Sequence, residues 1–288
     1  MQIKSNKYFM VQQLFKFIFL ILFLLSSTCK AEVSSAKDLN IKLVTVAVYG
    51  DTRGNSEIHR KIVNRIIAEK PDAVFFGGDF VLEGKESCVW TEIHDITMPL
   101  RKITHYYPLA GNHEGESQYY FDEFKSELGG KLWQSVDVGS AHFVLLDSNL
   151  DLKMNSKQYI WLENDLKTAP KDKFLIVMLH HPPFSVAAHG GEFLDFKDAL
   201  LYLIEKYKVD AVITGHDHNY QSFKKDNIVY LIIGGGGAPL YDKVSENPYL
   251  KKFLKVYNYG IMTISQHNLK INVYTDNGEP IDNILITK

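Results

Sequence analysis

The stretch VITGHDHNYQ, residues 212–221, carries His216 and His218 two positions apart, directly after an apolar run and Gly215. In an extended segment the side chains at i and i+2 point the same way, so the two imidazoles converge on one spot. Converging imidazoles suit a metal ion that takes nitrogen ligands. A solvated His-x-His turn is the plainer alternative, and the pair decides nothing unless other stretches supply matching ligands. Four others offer polar groups. Asp51 closes IKLVTVAVYGD (41–51), Asp79 closes DAVFFGGD (72–79), Asn112 and His113 end ITHYYPLAGNHEG (103–115), and His180 with His181 ends KFLIVMLHHPP (173–183). Singly, each has a local explanation: a Gly-Asp turn or cap, a left-handed asparagine beside Gly111, prolines that stop a strand. Five clusters at five strand ends are harder to ascribe to chance. Imidazole with carboxylate ligation fits Zn, Mn or Fe rather than Ca.

The elements that must position these groups are legible as an alternation. Short apolar runs of buried-strand type, including AHFVLLDS (141–148), are separated by helix-length amphipathic segments. SEIHRKIVNRIIAEK (56–70) presents Ile58, Ile62, Ile66 and Ile67 as a helical stripe that Ser56 could cap. SKQYIWLENDLKTA (156–169) and FLDFKDALLYLIEKY (193–207) read as further helices. Towards the C-terminus, 228–237, 259–277 and ILITK alternate like antiparallel hairpin strands. The expectation is an α/β fold of four layers, α/β/β/α, with two mixed sheets flanked by helices in a single domain over 40–288. In such sheets ligands gather at the carboxyl ends of strands, where every polar cluster falls.

Composition bounds the rest. The chain has 288 residues, 45% hydrophobic and 23% charged, enough to bury a core without staples. Lys4, Lys7 and Lys16 precede the apolar run FIFLILFLL (17–25) and then SSTCKAE, which reads as a secretory signal peptide over residues 1–31 and predicts a secreted or periplasmic protein. The apolar run is short for a membrane span, and a retained anchor is the alternative. Removing 1–31 takes away four lysines and no acids, moving the formal charge from −2 to −6. A mildly acidic surface argues against a general nucleic-acid binder. Cys88 alone would remain, so no intramolecular disulfide is expected. Oligomeric state is not legible.

The ordered set Gly-Asp, Gly-Gly-Asp, Gly-Asn-His-Glu, His-His-Pro-Pro and Gly-His-Asp-His resembles the calcineurin-like metallophosphoesterases. GNHEG, HHPPF, GHDHNYQ, QYIWLENDL and IIGGGGAPLY are similar to blocks of its purple-acid-phosphatase-like branch. The resemblance spans roughly residues 43–240 and implies a phosphohydrolase with two divalent ions (Zn, Mn or Fe) acting on a small phosphorylated substrate. Asp79 would bridge the ions, Asp51 and His218 would bind the first, and Asn112, His180 and His216 the second. A hydroxide held by the ions would attack phosphorus. His113 would help the transition state or the leaving oxygen, and His189 would contact phosphate. His181 is the weaker neighbour of His180, and Asp217 is expected to face away.

Two positions depart from the family pattern. The first block reads Asp51-Thr52-Arg53 where Asp-x-His is usual, and Leu82 stands where the purple branch often has a tyrosine ligand. The first ion is therefore left with Asp51, Asp79 and His218, and a purple ferric centre is not expected. Arg53 is either a phosphate clamp or a structural partner of a carboxylate. Phosphomonoesters lead as substrates, with phosphodiesters or nucleotides next and a non-catalytic metal-binding module as the rival. The rim is expected from 83–101, 114–130 and 184–195, where Trp90, Tyr119 and Tyr120 could stack a base or simply pack.

Overall fold

The computed structural model describes residues 43–115, 117–190 and 194–288. The expected signal segment 1–31 and the expected domain start at residue 40 lie outside the described residues. The chain lays down β1 (Val44–Tyr49), α1 (Ser56–Glu69), β2 (Ala73–Phe76), α2 (Ser87–Arg101) and β3 (His105–Pro108). Two short helices, α3 (Gln118–Glu123) and α4 (Lys125–Leu128), lead into β4 (Gln134–Val138) and β5 (Ala141–Leu145). Then come α5 (Lys157–Thr168), β6 (Phe174–Met178), α6 (Lys197–Lys206), β7 (Ala211–Thr214), β8 (Tyr220–Lys225), β9 (Ile228–Ile233) and β10 (Leu250–Leu254). Three last strands, β11 (Asn258–Ile264), β12 (Asn268–Thr275) and β13 (Pro280–Thr287), complete the order.

These strands form two mixed sheets. One has the order β13-β12-β11-β1-β2-β3, the other β10-β8-β9-β7-β6-β5-β4. In the first, β1, β2 and β3 are parallel and the C-terminal meander adds antiparallel to β1. In the second, β5, β6, β7 and β9 are parallel, while β4, β8 and β10 pair antiparallel with their neighbours. Successive side chains leave a strand on opposite faces. Val46, Val48 and Phe75 accordingly enter one apolar cluster with Phe143, Ile176 and Ile213, between the sheets. Their neighbours Ala47, Tyr49, Val74 and Phe76 join Ile62, Ile66, Trp90 and Phe124 on the helix-covered face of the first sheet. Val144, Val177 and Val212 pack against Leu162, Leu166, Leu200 and Leu203 on the other. The four-layer α/β/β/α expectation is met. Burial on both faces is why these strands read as unbroken apolar runs. Phe75 stacks on Tyr107 at 4.9 Å and, across the sandwich, on Phe143 at 4.2 Å.

Three local expectations need correction. The cap of α1 is Asn55, whose Oδ1 accepts from the Ile58 N–H at 3.2 Å; Ser56 is the first helical residue. The buried stripe of that helix is His59, Ile62, Val63 and Ile66, with Ile58 and Ile67 only partly covered. Segment 83–101 is mostly helix α2 rather than rim. Its Trp90 is buried, with its indole N–H donating to Gly84 O, and Tyr120 is buried as well, so both pack; Tyr119 alone of the three is exposed. Among the described residues no helix is long and apolar enough to cross a membrane.

Candidate metal centre

Asp51 and Asp79 follow β1 and β2 of the first sheet, and Asn112 and His113 come after β3. His180 follows β6, and His216 and His218 follow β7, in the second sheet. The carboxyl ends of the two parallel sets meet, and all six expected ligands come together there. Local backbone is bent to aim them: Asp51, Asp79 and His216 adopt φ of 58°, 62° and 70°. Left-handed backbone at non-glycine residues costs free energy and concentrates at functional sites. Close approach is needed too. A Cβ on Gly236 would lie 2.2 Å from Gly50 O, so the glycine run after β9 can pass beside Asp51, donating from Gly236 N to Gly50 O at 2.9 Å.

The ligand atoms form two groups that share Asp79: Asp79, His180 and His216, and Asp51, Asp79 and His218, each with its atoms within 4.8 Å of one another and all buried. Their protons are turned outward. His180 Nδ1 lies 2.8 Å from Gly77 O and His218 Nδ1 2.8 Å from Pro239 O. A carbonyl can only accept, so both Nδ1 atoms are donors and both Nε2 atoms present lone pairs inward. His180 Nε2 faces Asn112 Oδ1 at 3.1 Å and Asp79 Oδ1 at 3.4 Å. His216 Nδ1 lies 3.3 Å from the same Nε2, so imidazole, amide and carboxylate atoms crowd one small volume, an arrangement a cation satisfies. Asp51 Oδ1 accepts from His216 N at 2.9 Å, while the fully buried Oδ2 finds no hydrogen-bond partner. These residues therefore fit divalent ions.

Electrostatics agree. Burial first, then the adjacent Asp79 charge, raises the Asp51 carboxyl, and burial raises Asp79. Two buried carboxylates this near demand positive charge. Burial also holds His180 and His216 well below the ordinary range and brings His218 down to about 4. Neutral imidazole is the form that ligates a metal.

Around this core stand the other expected residues. Arg53 places Nε 3.6 Å from Asp79 Oδ2 and Nη2 3.5 Å from His218 Nε2, with its side chain only 14% exposed. Its Nε makes no hydrogen bond. His113 donates from its backbone N–H to Asp79 Oδ1 at 3.1 Å and through Nδ1 to Leu82 O at 2.8 Å. Its Nε2 then faces Asp79 Oδ2 at 3.8 Å. The Leu82 side chain, on the position of the missing tyrosine, is exposed. The His189 ring lies 4.1 Å from that of His216. Asp217 does face away from the ligands: it binds the Ser185 hydroxyl through Oδ2 and accepts from His189 N at 3.2 Å, tying down the loop that carries His189. His181 shares 2.7 Å with the Ser148 hydroxyl.

Two residues of the site carried no role in the sequence reading. Glu114 is buried and accepts from Asp79 N at 2.8 Å, Phe80 N at 2.7 Å and Gly111 N at 2.7 Å, clasping the two loops that present Asp79 and Asn112. Burial, then the Asp79 charge, pushes its carboxyl up to about 8 against the pull of those N–H groups. GNHEG contained the signal, since an acid beside Asn112 and His113 needs a partner. Tyr241 stacks on His218 at 4.2 Å and lies edge-on to His189 at 5.4 Å. Nothing local in APLY marks it.

Residues 44–220 match the family model of the calcineurin-like phosphoesterases. The chain belongs to that family. It is 28% identical over 222 residues to purple acid phosphatase 22 of Arabidopsis thaliana, covering 67% of this chain and 50% of that protein. It is also 28% identical over 222 residues to the phosphoenolpyruvate phosphatase of Allium cepa, covering 69% of this chain and 46% of that protein. The chain thus spans about half the length of the curated relatives it matches. Among solved structures, the purple acid phosphatase PPD1 from yellow lupin (Lupinus luteus) seeds superposes with a TM-score of 0.77 at 20% identity, covering 86% of this chain and 54% of that one. That likeness establishes the phosphoesterase fold, with its two helix-flanked sheets.

Proposed function

We propose that this chain hydrolyses phosphate monoesters at a two-ion centre held by Asp51, Asp79, Asn112, His180, His216 and His218. The observation that supports this reading most is the pair of acceptor groups sharing Asp79, ringed by Arg53, His113 and His189. When bound, the ions would supply an activated water and neutralise charge on the phosphoryl oxygens, and imidazole with carboxylate ligation favours Zn, Mn or Fe. Asp79 belongs to both groups. The Arg53 fork sits where it can engage two phosphoryl oxygens of a dianion. His113 Nε2, the ring nitrogen turned towards the site, carries a proton to the leaving oxygen as the P–O ester bond breaks. His189, braced by Asp217, lines the opposite side and contacts phosphate. The basic, apolar and small-residue order of residues 1–31 supports action outside the cytoplasm.

The test is hydrolysis of a nitrophenyl monoester by purified protein, stripped with chelator and resupplied with Mn, Zn or Fe. Activity is expected to return with metal, and Asp79→Asn to lose activity and the pairing of the ions together, because a neutral amide bridges two cations poorly. Metal uptake without any hydrolysis would replace this reading with a non-catalytic metal-binding module.

A further inference from the structure

We infer that Arg53 and the first ion compete for the same acceptors, so that the protein takes up that ion and an oxyanion together. The inference rests on the two-ion reading above and concerns what controls occupancy. Arg53 lies against two residues of the Asp51, Asp79 and His218 group: its Nε is 3.6 Å from Asp79 Oδ2, and its Nη2 is 3.5 Å from His218 Nε2. His218 has committed Nδ1 to Pro239 O, so its single inward lone pair serves either the guanidinium or an ion. A guanidinium keeps its charge at any working pH and cannot yield by losing a proton. It has to move.

Its hold on those two atoms is loose. The 3.5 Å bond from Nη2 to His218 is long for a hydrogen bond, and Arg53 Nε, 3.6 Å from Asp79, has no hydrogen-bond partner. The guanidinium is thus held at the carboxylates by charge and not by a bidentate clasp. It also hydrogen-bonds the Tyr241 hydroxyl, a single neutral partner beside the site. An oxyanion in front of the site offers the planar fork two acceptors, a better partner than it has now. Drawing Arg53 forward would release Asp79 Oδ2 and His218 Nε2 for the ion. The second group lacks this competitor: Asp79 Oδ1 faces His180 and the His113 backbone instead. It should fill regardless of anion. Coupling between two ligands is reciprocal, so the first ion should tighten phosphate as phosphate tightens the ion.

Manganese titration of metal-free protein, read by calorimetry and by electron paramagnetic resonance, tests this with and without inorganic phosphate. Wild type is expected to bind one ion tightly alone, with the other tightening about 5–150-fold when phosphate is present, the usual span of site-to-site coupling. Phosphate could also bridge two ions directly, and Arg53→Met separates the causes. Without phosphate, the variant should bind its weaker ion at least about tenfold tighter than wild type and show a smaller response to phosphate. The wild-type titration needs no variant to fold, and Arg53→Gln repeats the comparison. Two equally tight ions in phosphate-free wild type, or weaker binding in both neutral variants, would overturn the inference while leaving the two-ion reading intact. No manganese bound under any condition would sink both.

Discussion

Gly111→Ala puts the tightest contact of the site under test. A Cβ built at residue 111 would lie 2.1 Å from Asp79 Oδ1, 2.5 Å from Asp79 N and 2.9 Å from Asp79 Cγ. The backbone atom cannot yield cheaply, because Asp79 N is held by Glu114 at 2.8 Å. The carboxylate must swing instead, losing the bond from His113 N to Oδ1. Overpacking costs about 1–3 kcal/mol, and a hydrogen bond to a charged group about 1.5–3 kcal/mol. The sum is about 4 kcal/mol, or a fall in Tm of about 8–16 °C at the 2–4 °C per kcal/mol of a domain this size. Thermal unfolding in chelator measures this without metal. Manganese titration should then show both ions weakened, since Asp79 belongs to both groups. Gly115→Ala is the control from the same loop. Its Cβ would meet nothing within 4 Å, leaving only the left-handed backbone at φ 53°, a cost of about 1–2 kcal/mol. Equal losses in the two variants, or Gly111→Ala with unchanged manganese affinities, would refute the steric argument.

Two further expectations follow from the geometry. His113→Ala should keep both ions yet slow monoester turnover roughly 10²–10⁴-fold, the worth of positioned acid–base help; loss of metal in this variant would show that its ring serves as a ligand. His142, remote from the site, is gripped through Nε2 by Asp165 at 2.9 Å and through Nδ1 by Asp137 at 2.7 Å, and the Asp165 bond, aided by Asp137, raises its pKa. Its contribution to stability is therefore full below its unfolded value of about 6.5 and is lost as pH rises through the higher folded value. The gap in Tm between wild type and His142→Gln should be wider at about pH 6 than at about pH 9, and a constant gap would show that His142 stays neutral.

The strands other than β4, β8 and β10, the helices α1, α5 and α6, and the placement of polar clusters at strand ends were legible because they depend on near neighbours. An apolar run buried on both faces and an amphipathic stripe are written in consecutive residues, and the ordered motifs were enough to point to the phosphoesterase family. Helix α2 was not legible in the same way, since Cys88 and Pro99 break its pattern and Trp90 resembles an exposed aromatic until Phe80, Phe124 and Tyr120 close around it. The site depended on tertiary structure for a simpler reason: its partners are far apart in the chain. His180 is oriented by Gly77 O, 103 residues away, and Asp51 by His216 N, 165 away. The ordered motifs, through the family they resemble, could propose Asp79 and His218 as ligands. They could not say that the Arg53 side chain would fold back between them, because that direction is set by the packing of two sheets whose strand ends meet only in the folded chain. The same holds for Glu114 and Tyr241, whose roles come from the loops and rings that surround them and not from the residues beside them in sequence.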